Sequence, residues 1–390
     1  MKKINVGLLI TNDGVPLHQA GVIVDRNGRV MEICNWLQDA DVEAGVVVPG
    51  FVNAHTHLEL SHLKGVLSEE KKGMTAFIRE MIRQRGMVDD PVQQEAMLKA
   101  DEEMFSEGIV AVGDISNTLA SAEVKSKSKI YYHTFVELSG LDPEKAKDIT
   151  SRGIDMVKTF REKFNLPASL SPHAPYSVSA ALMNSLLSSL YYDDPLTIHV
   201  QESEDELQFC KLSSGPLFDY FSSAGFHLND VLVNGTRPMD ALLKLLPRSN
   251  RCQLVHNTFT TEDEILAALH THPQLFWCLC IHANQMITGH HPPAELLYKH
   301  HAMVTVGTDS LASNHRLSIV RELTAIHSAW PHIPFADLIK WSSFNGAKLL
   351  GIDHLCGSVR TGMKPGLLHL KGISADNPRF SEHVSVERLS

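Results

Sequence analysis

The chain has 390 residues, 43% of them hydrophobic and 21% charged, the balance of a globular protein with a sizeable core. A formal net charge of −10, with no Lys/Arg cluster to override it, excludes a nucleic-acid or anionic-membrane surface as the principal partner. No apolar run reaches transmembrane length.

Residues 1–47 predict short strands. Segments 6–10, 20–24 and 28–33 read as those strands, and the turns Asn12-Asp13-Gly14 and Arg26-Asn27-Gly28 suggest hairpins with no helix between them. Residues 1–10 carry the charge and apolar run of a signal peptide, but Asn5 interrupts the run and the Asn-Asp-Gly turn ends it. From residue 48 the character changes. Candidate strands 47–52, 109–115, 130–138, 168–171, 196–200, 253–255, 275–281 and 302–307 alternate with helix-period segments such as 91–106, 143–164, 204–221 and 336–350. Such alternation predicts an α/β fold with a parallel sheet, and eight repeats predict a (β/α)8 TIM barrel over residues 48–351. Strand character returns in 357–359 and 366–370. Pairing with the first strands would make a small β-sandwich domain from residues 1–47 and 352–390. The six cysteines, Cys34, Cys210, Cys252, Cys278, Cys280 and Cys356, form no Cys-x-x-Cys, so free thiols in a reducing cytoplasm are expected. Cys278 and Cys280 read as small, buried strand residues.

A barrel gathers functional side chains at the carboxyl ends of its strands. Val46-Val47-Val48-Pro49-Gly50-Phe51-Val52-Asn53-Ala54-His55-Thr56-His57 is an apolar strand that runs into two histidines, and residues i and i+2 of a strand share a face. Both imidazoles can therefore meet one ion. With 22 histidines in the chain, about one His-x-His is expected by chance, so context must decide. His270-Thr271-His272 is the decoy: it ends an amphipathic helical segment, where i and i+2 diverge and the dipole favours histidine anyway. Elsewhere His173 follows the fourth strand, His199 and Glu202 the fifth, His256 the sixth and Thr308-Asp309-Ser310 the eighth. Five strand ends that bring imidazoles and carboxylates to one mouth make a joint signal that no single residue gives.

The set His55-x-His57, His199-x-x-Glu202, His256 and Thr308-Asp309-Ser310 resembles the amidohydrolase superfamily. Within it, the chain is similar to the aminohydrolase branch of cytosine, guanine and S-adenosylhomocysteine deaminases and triazine chlorohydrolases. The likeness spans nearly the whole chain, including segments 48–53, 345–351 and 357–359. It implies one divalent metal held by His55, His57, His199 and Asp309, with Zn²⁺ preferred and Fe²⁺ the alternative. It implies catalytic roles for Glu202, His256 and Asp309, and a substrate contact at His173; Glu59 and Asn284 are further candidates for the substrate. The implied reaction is hydrolytic deamination of an amino-substituted purine, pyrimidine, pterin or nucleoside-like heterocycle, the metal lowering the pKa of a water to make the nucleophile. Two alternatives stay open: release of chloride or an alkylamine from a triazine-like ring, and a non-catalytic binding protein of the same fold. The implied partners are a small heterocycle and, as is common in the branch, a second copy of the chain. The fourth strand has no lysine or acid to bridge a second metal, which favours one metal, with Glu137 on the third strand read as a pocket or core-edge carboxylate. After the seventh strand many relatives carry Cys-Pro-x-x-Asn, whereas this chain has Cys280-Ile281-His282-Ala283-Asn284. Specificity is expected from loops 59–75 and 222–245, and Arg237 either binds a substrate anion or forms an ion pair.

Overall fold

The structure is a computed structural model that describes residues 1–67, 73–84, 90–226, 228 and 230–390. Strands β1 (Lys2–Leu9), β2 (Leu17–Val24), β3 (Val30–Asn35) and β4 (Val42–Val48) open the chain. Eight follow: β5 (Phe51–Thr56), β6 (Ile109–Ser116), β7 (Tyr131–Leu138), β8 (Ala168–Pro172), β9 (Leu196–Val200), β10 (Cys252–His256), β11 (Leu275–Leu279) and β12 (Met303–Val306). Strands β13 (Leu368–Lys371) and β14 (Ser385–Arg388) close it.

The two chain ends share one sheet, in the order β14-β13-β4-β1-β2-β3, with β13 antiparallel to β4. A sandwich is expected here; among the described residues all six strands of the two chain ends join in one hydrogen-bonded sheet. Its apolar side chains divide between a cluster of their own, with Ile4, Val6, Val22, Val24 and Val47, and the main core, which takes Leu8, Val46, Val48 and Leu368.

The eight central strands form two wholly parallel sheets, β5-β6-β7-β8 and β9-β10-β11-β12. Their edges meet at the carboxyl ends, where His199 N donates to His173 O (2.9 Å) and Thr308 N to His55 O (3.0 Å). Alternate residues bury against different clusters: Phe51, Val112, Leu254 and Trp277 join the core that includes the helices, while Val52, Ala111, Val255 and Cys278 join a second, inner one. Strands buried on both faces read as continuous apolar runs, which is why the sequence exposes them so clearly.

Three expected elements divide. The strand foreseen at 47–52 is the end of β4 and the start of β5. Pro49 lacks a donor to continue the ladder, and a Cβ on Gly50 would lie 2.3 Å from Val110 Cγ1 and 2.9 Å from Pro365 O. The helix foreseen at 204–221 is Glu204–Leu212 and Pro216–Ser223, parted by Ser213 and Gly215 at φ 46° and 92°. That at 336–350 is Phe335–Trp341 and Phe344–Leu350, with Ser342 and Ser343 donating their hydroxyls to carbonyls of the preceding turn.

Candidate metal and catalytic site

β5 delivers His55 as its penultimate residue and His57 just beyond its end. The segment after β12 is stitched to it, since Asn53 Nδ2 donates to Thr308 Oγ1 (2.8 Å), Thr308 N to Asn53 Oδ1 (3.1 Å) and Thr56 Oγ1 to Asp309 O (2.8 Å). Asp309 has a left-handed φ of 55°, and so at the ends of other central strands do Gln201 (50°), His256 (75°) and Asn257 (55°). Left-handed backbone at non-glycine residues costs about 1–3 kcal/mol each and persists where packing aims a side chain.

The aim is convergent. Nitrogens of His55, His57 and His199 lie within 4.8 Å of one another. His55 Nε2 is 3.2 Å from His199 Nε2, and Asp309 Oδ1 is 3.6 Å from His55 Nε2 and 3.4 Å from His57 Nε2. Burial lowers the pKa of His55 to about 4 and that of His57 to about 3, so both imidazoles are neutral near pH 7. Burial alone would raise Asp309, yet its contact with His55 and the neighbouring imidazoles hold its carboxyl well below the usual range. His55 Nδ1 is buried without a hydrogen-bond partner among the described residues, while its Nε2 joins His57, His199 and Asp309 in one tight cluster of ligand atoms. Three imidazoles and one carboxylate suit a borderline divalent ion, so the donor set fits the expected metal.

Glu137, His173 and His199 form a second cluster of ligand types. His199 Nδ1 already faces His173 O at 2.9 Å, and a backbone carbonyl takes only a donor, so that nitrogen carries the proton and offers no lone pair. This bond fixes the tautomer that turns Nε2 toward His55. Burial would raise Glu137, but His173, His199 and His57 lower it to about 2; its Oε2 accepts from Asn117 Nδ2 at 2.9 Å.

His57, His173, His199, Glu202, His256 and Asp309 line one cavity of roughly 470 Å³ measured out to its mouth. Burial and the charges of Asp309 and Glu206 push the Glu202 carboxyl well above its ordinary value. Glu202 Oε1 is 3.4 Å from His256 Nε2. On the other side of that ring, Asn284 Nδ2 donates to Thr258 Oγ1 (2.8 Å), which leaves Asn284 Oδ1 to accept from His256 Nδ1 (2.8 Å). His256 therefore presents a free Nε2 lone pair, and burial lowers its pKa to about 4.

Two expected substrate contacts are not in the cavity. Glu59 is buried with its carboxylate taken up by Asn117 N (3.1 Å), Thr118 N (3.2 Å) and Thr118 Oγ1 (2.8 Å), so it orders the loop after β6. Asn284 orients His256. Arg237 forms a two-pronged ion pair with Glu264 (2.6 and 2.9 Å), and His282 Nδ1 meets Glu322 Oε1 (2.9 Å). Of the decoy pair, His272 Nε2 faces Leu246 O at 3.2 Å. Residues 68–72, 227 and 229 of the expected specificity loops lie outside the described residues.

Sequence reasoning missed the cavity's outer wall of Leu60, Met74, Phe77, Ile78 and Met81, together with Tyr176. It also missed Ser313, whose hydroxyl donates to Asp309 Oδ2 and turns Oδ1 to the histidines. The signal that could have found the wall is the helical spacing of Met74, Phe77, Ile78 and Met81, at a stretch whose first residues are expected as loop.

The amidohydrolase family model matches residues 46–384, and the chain belongs to that family. It is 25% identical to an adenosine deaminase of Helicobacter pylori, over 95% of this chain and 90% of that one. Among solved structures, Helicobacter pylori aminofutalosine deaminase in complex with methylthio-coformycin superposes with a TM-score of 0.78 at 23% identity, covering 94% of this chain and 91% of that one. An adenosine deaminase from Xanthomonas campestris with bound zinc gives 0.71 at 19% identity, covering 94% and 84%.

Proposed function

We propose that this member of the amidohydrolase family is a metal-dependent deaminase that hydrolyses the amino group of a nucleoside-like heterocycle to an oxo group and ammonia. The observation that carries the reading is the geometry of one cavity, where Glu202, a buried carboxyl pushed well above its ordinary value, lines the same wall as the three-imidazole, one-carboxylate cluster. His55, His57, His199 and Asp309 would hold one divalent ion, zinc by preference, and when bound it supplies Lewis-acid activation of a water. Glu202 donates its proton to a ring nitrogen, which makes the amino-bearing carbon electrophilic. His256 Nε2, free to accept, orients the attacking water and takes its hydrogen bond. Asp309, ionised and held by Ser313, takes one proton of the water and passes it to the departing amine; the other leaves the new hydroxyl for Glu202 and restores its carboxyl, so that the heterocycle gains an oxo group, keeps the proton on its ring nitrogen and releases ammonia. His173, at the cavity wall with Nδ1 against Ser177 Oγ (2.6 Å), turns its other ring edge to the substrate.

The cavity lining holds no Lys or Arg among the described residues, and its outer wall is apolar. A free nucleoside with an uncharged far end suits that wall; a nucleotide phosphate would lose its hydration there without a partner. The same reading closes the two four-stranded sheets into one eight-stranded barrel over 48–351, with 1–47 and 352–390 as the small β domain. The six free cysteines suit a reducing cytoplasm.

Ammonia release from the zinc-loaded protein, across aminopurines, aminopyrimidines, pterins and their nucleosides, tests the proposal with Glu202→Gln as control. Turnover of an aminopurine nucleoside that the control loses is the expected result. Chloride release from a chlorotriazine with no ammonia from any nucleoside would overturn it.

A further inference from the structure

The apolar wall does not come from the central strands. It is the helix Met74–Gln84, whose Met74, Phe77, Ile78 and Met81 recur at i, i+3, i+4 and i+7 and face the cavity. Eleven residues make a marginal helix in isolation, so its place depends on what holds it. Ile78 packs on the cluster of Tyr176, Phe209 and Phe221, while Phe77 and Met81 pack on Leu63, Leu67 and Ala312.

Its amino end has no capping side chain of its own, because the residue before Met74 is Gly73, at φ 79°. A carboxylate from elsewhere does the capping. Asp205 Oδ2 accepts from Thr75 N (3.0 Å) and from Thr75 Oγ1 (2.6 Å). Negative charge at a helix amino end is favoured by the dipole, and these bonds are charge-assisted. Asp205 belongs to the first turn of helix Glu204–Leu212. The next residue, Glu206, accepts the backbone N–H groups of Gln201 and Glu202, at 2.9 Å each. One helical turn thus anchors both the wall and the backbone of Glu202.

We propose that the Asp205–Thr75 pair is a positioning latch that holds the Met74–Gln84 helix in place as a specificity wall for an uncharged, apolar arm of the substrate. The arm rests on the deaminase reading; the latch does not. Because the reacting atoms meet Glu202, His256 and Asp309 and not this wall, loosening it weakens binding of the arm and leaves the chemical step in place.

Thr75→Val removes the hydroxyl at nearly constant shape, and Thr75→Ser restores it. Hydrogen exchange of residues 74–84 reads the latch without turnover, and adenosine and 5′-methylthioadenosine serve as probes without and with an apolar arm. In Thr75→Val, exchange in 74–84 should quicken about tenfold, with zinc content unchanged. KM for methylthioadenosine should rise about tenfold and that for adenosine less than about threefold, with kcat held and Thr75→Ser close to wild type. Unchanged exchange overturns the latch. Faster exchange with equal KM changes for both probes, or with a fall in kcat, overturns the specificity role. If the wild type deaminates neither probe, the deaminase reading fails, and the exchange result alone decides the latch.

Discussion

Gly307 lies one residue past β12, in the seam between Asp309 and His55. A Cβ there would sit 2.8 Å from His55 Cβ, 2.9 Å from Cys278 Sγ and 2.9 Å from His55 O. Carbon–carbon contacts settle at about 3.5–4.0 Å, so Gly307→Ala demands a retreat of roughly 0.7–1 Å. None of the three neighbours is the loose end of a flexible chain. His55 and Cys278 are fully buried, and His55 O accepts from both Thr308 N (3.0 Å) and Asp309 N (3.1 Å). Overpacking of this kind costs about 1–3 kcal/mol. Gly307 has no left-handed backbone, so alanine also restricts the unfolded chain and returns about 0.4–1 kcal/mol. The net expectation for the metal-free protein is a loss of about 1–2 kcal/mol in urea denaturation. The larger effect should appear at the metal, because the displaced side chain is a proposed ligand. A chelator titration should show affinity lower by about 10–100-fold, the range seen when a ligand's support is disturbed. If Gly307→Ala denatures and titrates like the wild type, the seam is looser than these contacts say and the reasoning fails.

Lys125 is wholly buried in an ion pair with Asp114, and its Nζ also reaches Ser116 Oγ (2.8 Å) and Thr134 Oγ1 (3.1 Å). Lys125→Met should therefore destabilise by about 3–5 kcal/mol in urea, and a further Asp114→Asn should recover part of it; a single-variant loss under about 1 kcal/mol would contradict the burial of that charge. Stripping the metal should lower stability by about 2.7 kcal/mol relative to zinc at a hundredfold excess over Kd, and zinc should have no such effect on His57→Ala, as calorimetry can check. For pH, burial pushes the Glu202 carboxyl well above its ordinary value, so kcat/KM should fall as pH rises through that raised pKa, when the proton donor is lost. A profile that instead climbs steadily on the alkaline side would assign the acid elsewhere. On the acid side, burial holds His55 and His57 at about 4 and about 3, so acid should displace metal from these two ligands only near those values, as equilibrium dialysis can check.

What the chain settled by itself came from short-range rules. Continuous apolar runs such as 109–112 and 275–279 announced strands buried on both faces, and period-2 geometry turned His55-x-His57 into a pair aimed one way while the helical His270-x-His272 was set aside. Strand ends carrying His199, Glu202, His256 and Asp309 followed from the same reading. Tertiary structure decided what each polar group would be spent on. Glu59 and Asn284 stood beside the site in sequence, but three donors of the loop after β6 claim the first, and the imidazole of His256 claims the second. Ser313 and Thr75 gave no signal, because a hydroxyl gains its role only from the carboxylate it meets, Asp309 four residues away or Asp205 at a separation of 130. The cavity's apolar wall came from the fold, which brings Met74, Phe77, Ile78 and Met81 of one helix to the cavity. Periodicity tells a residue which side of its own element it occupies; only the packing of other elements tells it what lies on that side.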